Sequence, residues 1–232
     1  MMQYKNLTII GTSHIARQSL EEVGEAIIEG KPDIVALELD RKRLYSLMSK
    51  QEGKISIYDI RRIGLKGFIF SLIGAWAEKK LGKLVGVAPG SEMKKAVTLA
   101  KKHNMKLALI DQDIEITLRR FSKALTWKEK WNFMADIIRQ IFTGKKEIEF
   151  DLTKVPDKKI IRKLINKVKI RYPNIYRVLI EERNEVMAKN LEKIMEENED
   201  KKILAIIGAG HEEDILNIIK RPKISYSISI GK

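Results

Sequence analysis

Apolar runs and helical stripes alternate along the chain. Asn6 to Ile10 is a short apolar run ending in GTSH, the pattern of a buried strand that meets a Gly loop. From Ala16 to Glu29, Leu20, Val23, Ile27 and Ile28 fall on one helical face, and Pro32 and Asp33 break that helix. Ile34 to Leu39 (IVALEL) is a second continuous apolar strand, interrupted only by Glu38, with a helix to follow at about Arg41 to Lys50. Two buried strands around a helix predict parallel pairing through a right-handed crossover.

Tyr58 to Leu81 reads as a long apolar helix. APGSEM makes a turn, with Ser91 as the expected N-cap of a helix running to about His103. KLALID, Lys106 to Asp111, is a third strand. Ile114 to Phe142 reads as two helices divided near Thr126, where Thr caps the second. Asp157 to Lys169 and Ile175 to Glu197 are amphipathic helices separated by Pro173. KILAIIGAGH, Lys201 to His211, repeats the first pattern of apolar strand, Gly loop and His. A short helix, Glu213 to Lys220, and a last strand, Ile224 to Ile230, complete the series. The strands lie at the two ends and around Lys106, while Thr117 to Asn198 is nearly all helix. The predicted fold class is therefore α/β: a small, mostly parallel central sheet flanked by helices, in one domain over 1–232, with a helical insertion or cap at about 117–198.

Composition narrows the chemistry. The 232 residues contain no Cys, which removes disulfides, iron–sulfur clusters, Cys-based zinc sites and thiol nucleophiles. Any metal site must use His and carboxylates. The N-terminus runs straight into a strand pattern and carries no signal-peptide signature. Ile63 to Ala77 is shorter than the ~20 residues a membrane span needs, and Lys66 interrupts it, so a buried or interface-lying helix is expected. The formal net charge of +14 raises nucleic acid or an anionic membrane surface as partners. Lys is scattered beside Glu along the helices, however, and no RNP motif, zinc finger or arginine-rich arm is present, so nucleic acid is not the expected partner. Many Lys, Glu and Ile without Cys suit a hot-growing source.

Two of the three His, His14 and His211, occupy one context: an apolar strand, Gly, two small residues, then His. Loops at the carboxyl ends of parallel strands line the binding crevice of an open sheet, and an imidazole there can ligate a metal, move a proton or bind an anion. His103 reads instead as a helix C-terminal residue complementing the dipole. Glu38 is a carboxylate inside an apolar run, costly to bury unless it is paired or bound to a cation. It either joins His14 and His211 in a two-His-one-carboxylate set suited to Zn²⁺, Mn²⁺ or Fe²⁺, or pairs with Arg41 or Arg43. GAGHEE places Glu213 where a dinucleotide loop needs its third Gly, there is no Walker A string, and HEEDI has Ile215 where the zincin motif needs its second His. Ser13 beside His14 is a poor nucleophile–base pair, since adjacent side chains seldom face each other.

The strings IIGTSH, PDIVALELDRKRL, PGSEM, LIDQDIEITLRR, LIEERNEVMAKNL and IIGAGH, in this order over about Leu7 to His211, resemble the TraB/PrgY family, within the wider group of TIKI proteins, erythromycin esterases and ChaN-like haem binders. The resemblance implies a functional site of His14, Glu38, Arg43 and His211, with Asp113, Arg119, Glu182 and Arg183 as further substrate-binding candidates. It also points toward peptides, because TIKI relatives are described as metal-dependent peptidases and PrgY-type proteins as shutting down a peptide pheromone. The leading expectation is a peptidase-like hydrolase in which His14, His211 and Glu38 hold a divalent ion (Mn, Co or Zn) and Arg43 orients Glu38 or substrate. Glu212 stands beside that site, either as a catalytic base or as a helix N-terminal carboxylate. The alternative is a non-catalytic protein that sequesters a peptide or small ligand, with Trp76, Trp127 and Trp131 forming a lid or a surface for a homo-oligomer. A weaker third expectation is a membrane-surface role through Ile63 to Ala77 and the Lys-rich helices. Two departures stand out: Gln112 replaces an expected basic residue, and family chains commonly continue into C-terminal membrane helices. The expected setting is thus cytoplasmic, or the soluble domain of a membrane-anchored protein.

Overall fold

The continuous apolar runs become the interior of a sheet covered on both faces. The structure, a computed structural model, describes residues 1–12, 17–49, 60–65, 68, 72, 90–129, 131–132, 135–136 and 158–222. Its strands are β1 (Met2–Tyr4), β2 (Leu7–Thr12), β3 (Ile34–Leu37), β4 (Lys106–Leu109) and β5 (Ile203–Gly208), in the spatial order β1-β2-β5-β3-β4. β1 pairs antiparallel with β2, and every other pairing is parallel. The tight turn between β1 and β2 places Lys5 at φ 51°.

The helices are α1 (Arg17–Gly30), α2 (Arg41–Met48), α3 (Ser91–Lys102), α4 (Ile114–Ala124), α5 (Lys158–Arg171), α6 (Pro173–Tyr176), α7 (Glu182–Glu197) and α8 (Glu212–Ile219). A π-helical turn, Arg177–Glu181, joins α6 to α7. Strand side chains alternate between faces. Val35, Leu37, Leu204 and Ile206 pack with Val23 and Ile27 of α1 and Met93 and Val97 of α3. Ile34, Ala36, Ala205 and Ile207 pack with Met187 and Leu191 of α7 and Ile215 of α8 on the other face. The result is a helix–sheet–helix sandwich with a mostly parallel core, the predicted α/β class.

Helix α7, within the stretch expected as a helical insertion or cap, packs on the sheet. Met187, Ala188 and Leu191 of α7 are fully buried against the sheet, and the Asn190 side chain donates to the carbonyl of Ile110 at 2.8 Å. Ser91 is the first helical residue of α3 rather than its cap. Gly90 holds that position with φ 75°, a left-handed conformation that glycine adopts without a Cβ clash. His103 ends the same helix, donating its amide to the carbonyl of Leu99. Thr126 does begin a new turn: its amide and hydroxyl both donate to Glu129, whose own amide donates back to the Thr126 hydroxyl, a capping box. Most of Tyr58 to Leu81, including Trp76, and all of Ile224 to Ile230 lie outside the described residues. Among the described residues no helix is long and apolar enough to cross a membrane.

Leu191 is fully enclosed between α7 and the sheet. Leu191→Ala should lower stability by about 2–5 kcal/mol in chemical denaturation. Glu129 supplies a pH-dependent increment. Burial alone would raise its pKa, but the Thr126 and Asn174 amides bind the ionised carboxylate and hold it below the ordinary range. A depressed folded pKa stabilises above the unfolded value and ceases to do so as pH falls through the folded one. Glu129→Gln should therefore cost roughly 1.5–3 kcal/mol at neutral pH, and its deficit should shrink as both proteins are titrated downward from the ordinary glutamate range.

Candidate functional site

The parallel strands end at one level and place their following residues side by side. Thr12 pairs with Gly208 and Leu37 with both Ile206 and Leu109, so Thr12, Glu38, Gly208 and Asp111 lie together at the carboxyl ends of the parallel strands. The Ala209 amide donates to the Thr12 carbonyl at 2.9 Å, tying the second loop to the end of β2. β5 lies between β2 and β3, so Glu38 adjoins the loop of His211 rather than the end of β2.

The first glycine of each loop stands close to a carboxylate. A Cβ on Gly11 would stand 2.6 Å from Oε2 of Glu212, and one on Gly208 would stand 3.2 Å from Oε2 of Glu38 and 3.5 Å from the His211 ring. Without a Cβ, the Gly208 amide reaches Glu38 directly and donates to its Oε2.

The other Glu38 oxygen, Oε1, accepts from Arg183. The same guanidinium forms a two-pronged bridge to Asp111, at 3.1 Å from Nε and 2.6 Å from Nη2, and its Nη1 donates to the Leu179 carbonyl at 3.2 Å in the π-helical turn. Asp111 also accepts from Arg43, which bonds Asp40 at 2.7 Å, and from the Gln112 amide at 2.7 Å. Asp40 in turn caps α2 by accepting from the Lys42 and Arg43 amides. Burial works against the charge on Arg183, but Glu38 and Asp111 hold its pKa above the ordinary guanidinium value, and Asp111 does the same for Arg43. Among the described residues no buried side-chain nitrogen or oxygen lacks a hydrogen-bond partner.

His211 is oriented from behind. Asn184 donates through Nδ2 to Asp214 at 3.3 Å, which turns its Oδ1 toward His211 Nδ1, 2.6 Å away. With Nδ2 turned to Asp214, the Asn184 oxygen can only accept, which assigns the proton of the neutral imidazole to Nδ1 and the lone pair to Nε2. Nε2 faces Nη1 of Arg183 at 3.4 Å and Oε1 of Glu38 at 3.6 Å.

The structure thus joins Glu38, Arg43, Arg183 and His211 of the expected residues, and adds Asp40, Asp111 and Asn184. Glu38 pairs with Arg183, not with Arg41 or Arg43. Glu212 is buried in the first turn of α8 with its carboxylate against Gly11. Three candidates are engaged outside this network: Asp113 caps α4 and pairs with Lys42, exposed Arg119 donates to the Arg62 carbonyl, and Glu182 is bridged by Arg120. His14 lies outside the described residues. Asp111 carried a signal like that of Glu38, an acid at the end of an apolar strand. Asn184 had none beyond its place next to Arg183.

A divalent ion shared by Glu38 and His211 would sit about 2.0–2.2 Å from each donor. The Arg183 guanidinium already stands against both donor atoms. Among the described residues no group of three or more His, Asp or Glu is placed to hold one, and His14, the third expected ligand, is not among those residues.

Known proteins place the chain by descent. The model of the TraB/PrgY/gumN family matches residues 3–223. An uncharacterized protein of Methanocaldococcus jannaschii is 36% identical over 224 residues, covering 93% of this chain and 54% of its own length. TraB domain-containing proteins of human and mouse are each 23% identical over 193 residues, covering 76% of this chain and 49% of theirs. The chain spans about half the length of these relatives. With the family model covering nearly all of it, the chain belongs to the TraB/PrgY/gumN family.

Proposed function

We propose that the chain is a hydrolase whose reaction centre is the strand-end cluster, with His211 as general base. The observation that supports this reading is the Asp214–Asn184–His211 series, which leaves Nε2 as the accepting nitrogen on the side of Glu38 and Arg183. A water that takes the place of the 3.4 Å Arg183 contact at Nε2, with Nη1 keeping its bond to the Leu179 carbonyl, would give its proton to the imidazole as its oxygen attacks a substrate carbonyl. The imidazolium, beside Oε1 of Glu38, would then return the proton to the leaving amine. Arg43 has no direct part in this scheme, because it is committed to Asp40 and Asp111 and keeps the latter in place for Arg183. Peptides are the proposed substrates on the family resemblance alone.

The test is cleavage of a mixed peptide library, followed by mass spectrometry. His211→Ala should lower turnover by about 10²–10⁴-fold with circular dichroism unchanged. Asn184→Ala, which frees the imidazole to change tautomer, should lower it by roughly ten- to a hundredfold, in line with loss of one buried hydrogen bond worth about 1–3 kcal/mol. Full activity in the His211 variant would reject the mechanism. Saturable peptide binding without cleavage would favour the sequestering alternative.

A further inference from the structure

We propose that Arg183 is the resident cation of this site, holding Glu38 and Asp111 so that the cluster operates without a divalent metal ion. The proposal rests on the reading of this cluster as the reaction centre, and it makes Arg183 a positioning residue for Glu38 and His211.

All three guanidinium nitrogens are in use. Nε and Nη2 take the two oxygens of Asp111, Nη2 also takes Oε1 of Glu38, and Nη1 lies between the Leu179 carbonyl and Nε2 of His211. A metal ion bound by Glu38 and His211 would need Oε1 and Nε2 together, 3.6 Å apart, and Arg183 meets both. The planar fork suits this place better than an ammonium point charge, because it spans two carboxylates at fixed angles. The side chain is only 15% exposed, so water does little to screen it.

The approach of Arg183 is built into its helix. The π-helical turn Arg177–Glu181 ends just before α7, and the Leu179 carbonyl within it accepts from the Arg183 side chain. Single π turns inside helices recur at functional sites. Here the turn supplies the guanidinium with a third anchor besides the two carboxylates.

The experiment uses tag-free full chain, and its primary readout is metal content and metal affinity. Wild type, as purified and after incubation with Mn²⁺, Co²⁺ or Zn²⁺ followed by desalting, should carry no more metal than His211→Ala. Its melting temperature should not shift with these ions. Arg183→Met, which removes the cation and frees the two donor atoms it meets, Oε1 of Glu38 and Nε2 of His211, 3.6 Å apart, should gain Co²⁺ affinity at least tenfold, read by titration calorimetry. Arg183→Lys should retain the wild-type lack of affinity. About one divalent ion per chain in wild type, absent from His211→Ala, would overturn the proposal whether or not the Met variant folds. So would a folded Arg183→Met variant with no gain in Co²⁺ affinity. Loss of peptide cleavage without any metal result would count against the hydrolase alone, so the two failures are distinguishable.

Discussion

Arg183 joins Glu38 and Asp111 across the ends of two neighbouring strands, and the surrounding structure depends on that bridge. Each carboxylate is buried, and a bare charge at either place would lose its hydration at a cost of several kcal/mol. The strand order puts both acids at the carboxyl ends of neighbouring strands, and α7, packed on the sheet through Met187 and Leu191, delivers the guanidinium. Burial of α7 and neutralisation of the strand ends are thus one event. Arg43 extends the arrangement to α2, since it bonds both Asp111 and Asp40.

The architecture was legible because its physical cause is periodic. Parallel strands covered on both faces must be apolar throughout, and IVAL and ILAIIG show this directly. The antiparallel edge β1 was not separable from the following run, since three residues carry too little pattern. The role of α7 was hidden for another reason. An amphipathic helix shows that one face is covered, but not whether a sheet or another helix covers it.

Legibility of the site followed the cost of each residue. Glu38 interrupts an apolar run, so its burial demands a cation and marks it at once. The two Gly-x-x-His loops are visible as a repeat, and at Gly11 a Cβ would press on Glu212 and on the Ala209 backbone. Along the chain Arg41 and Arg43 are cations beside Glu38, whereas Arg183, which binds it, is 145 positions away. Helix α2 turns Arg43 toward its own cap Asp40 and toward Asp111, so proximity along the chain misleads here. Asp113, Arg119 and Glu182 share strings with site residues but are held by other contacts: Asp113 caps α4, Arg119 donates to the Arg62 carbonyl, and Glu182 is bridged by Arg120.

The consecutive residues Arg183 and Asn184 explain why a helix, rather than a loop, controls the imidazole. Asn184 bonds Nδ1 of His211 while Arg183 faces Nε2, so one turn of α7 contacts both ring nitrogens. Neighbours on a helix point about 100° apart, and an imidazole lying against the turn can be reached by both. Glu38 closes the circle, since one oxygen holds Arg183 and the other holds the Gly208 amide at the start of the loop that carries His211. A shift of α7 relative to the sheet would therefore act on the tautomer-setting contact and on the accepting nitrogen together. The position of that helix, fixed by Met187, Leu191 and Asn190, is what holds both contacts to the imidazole.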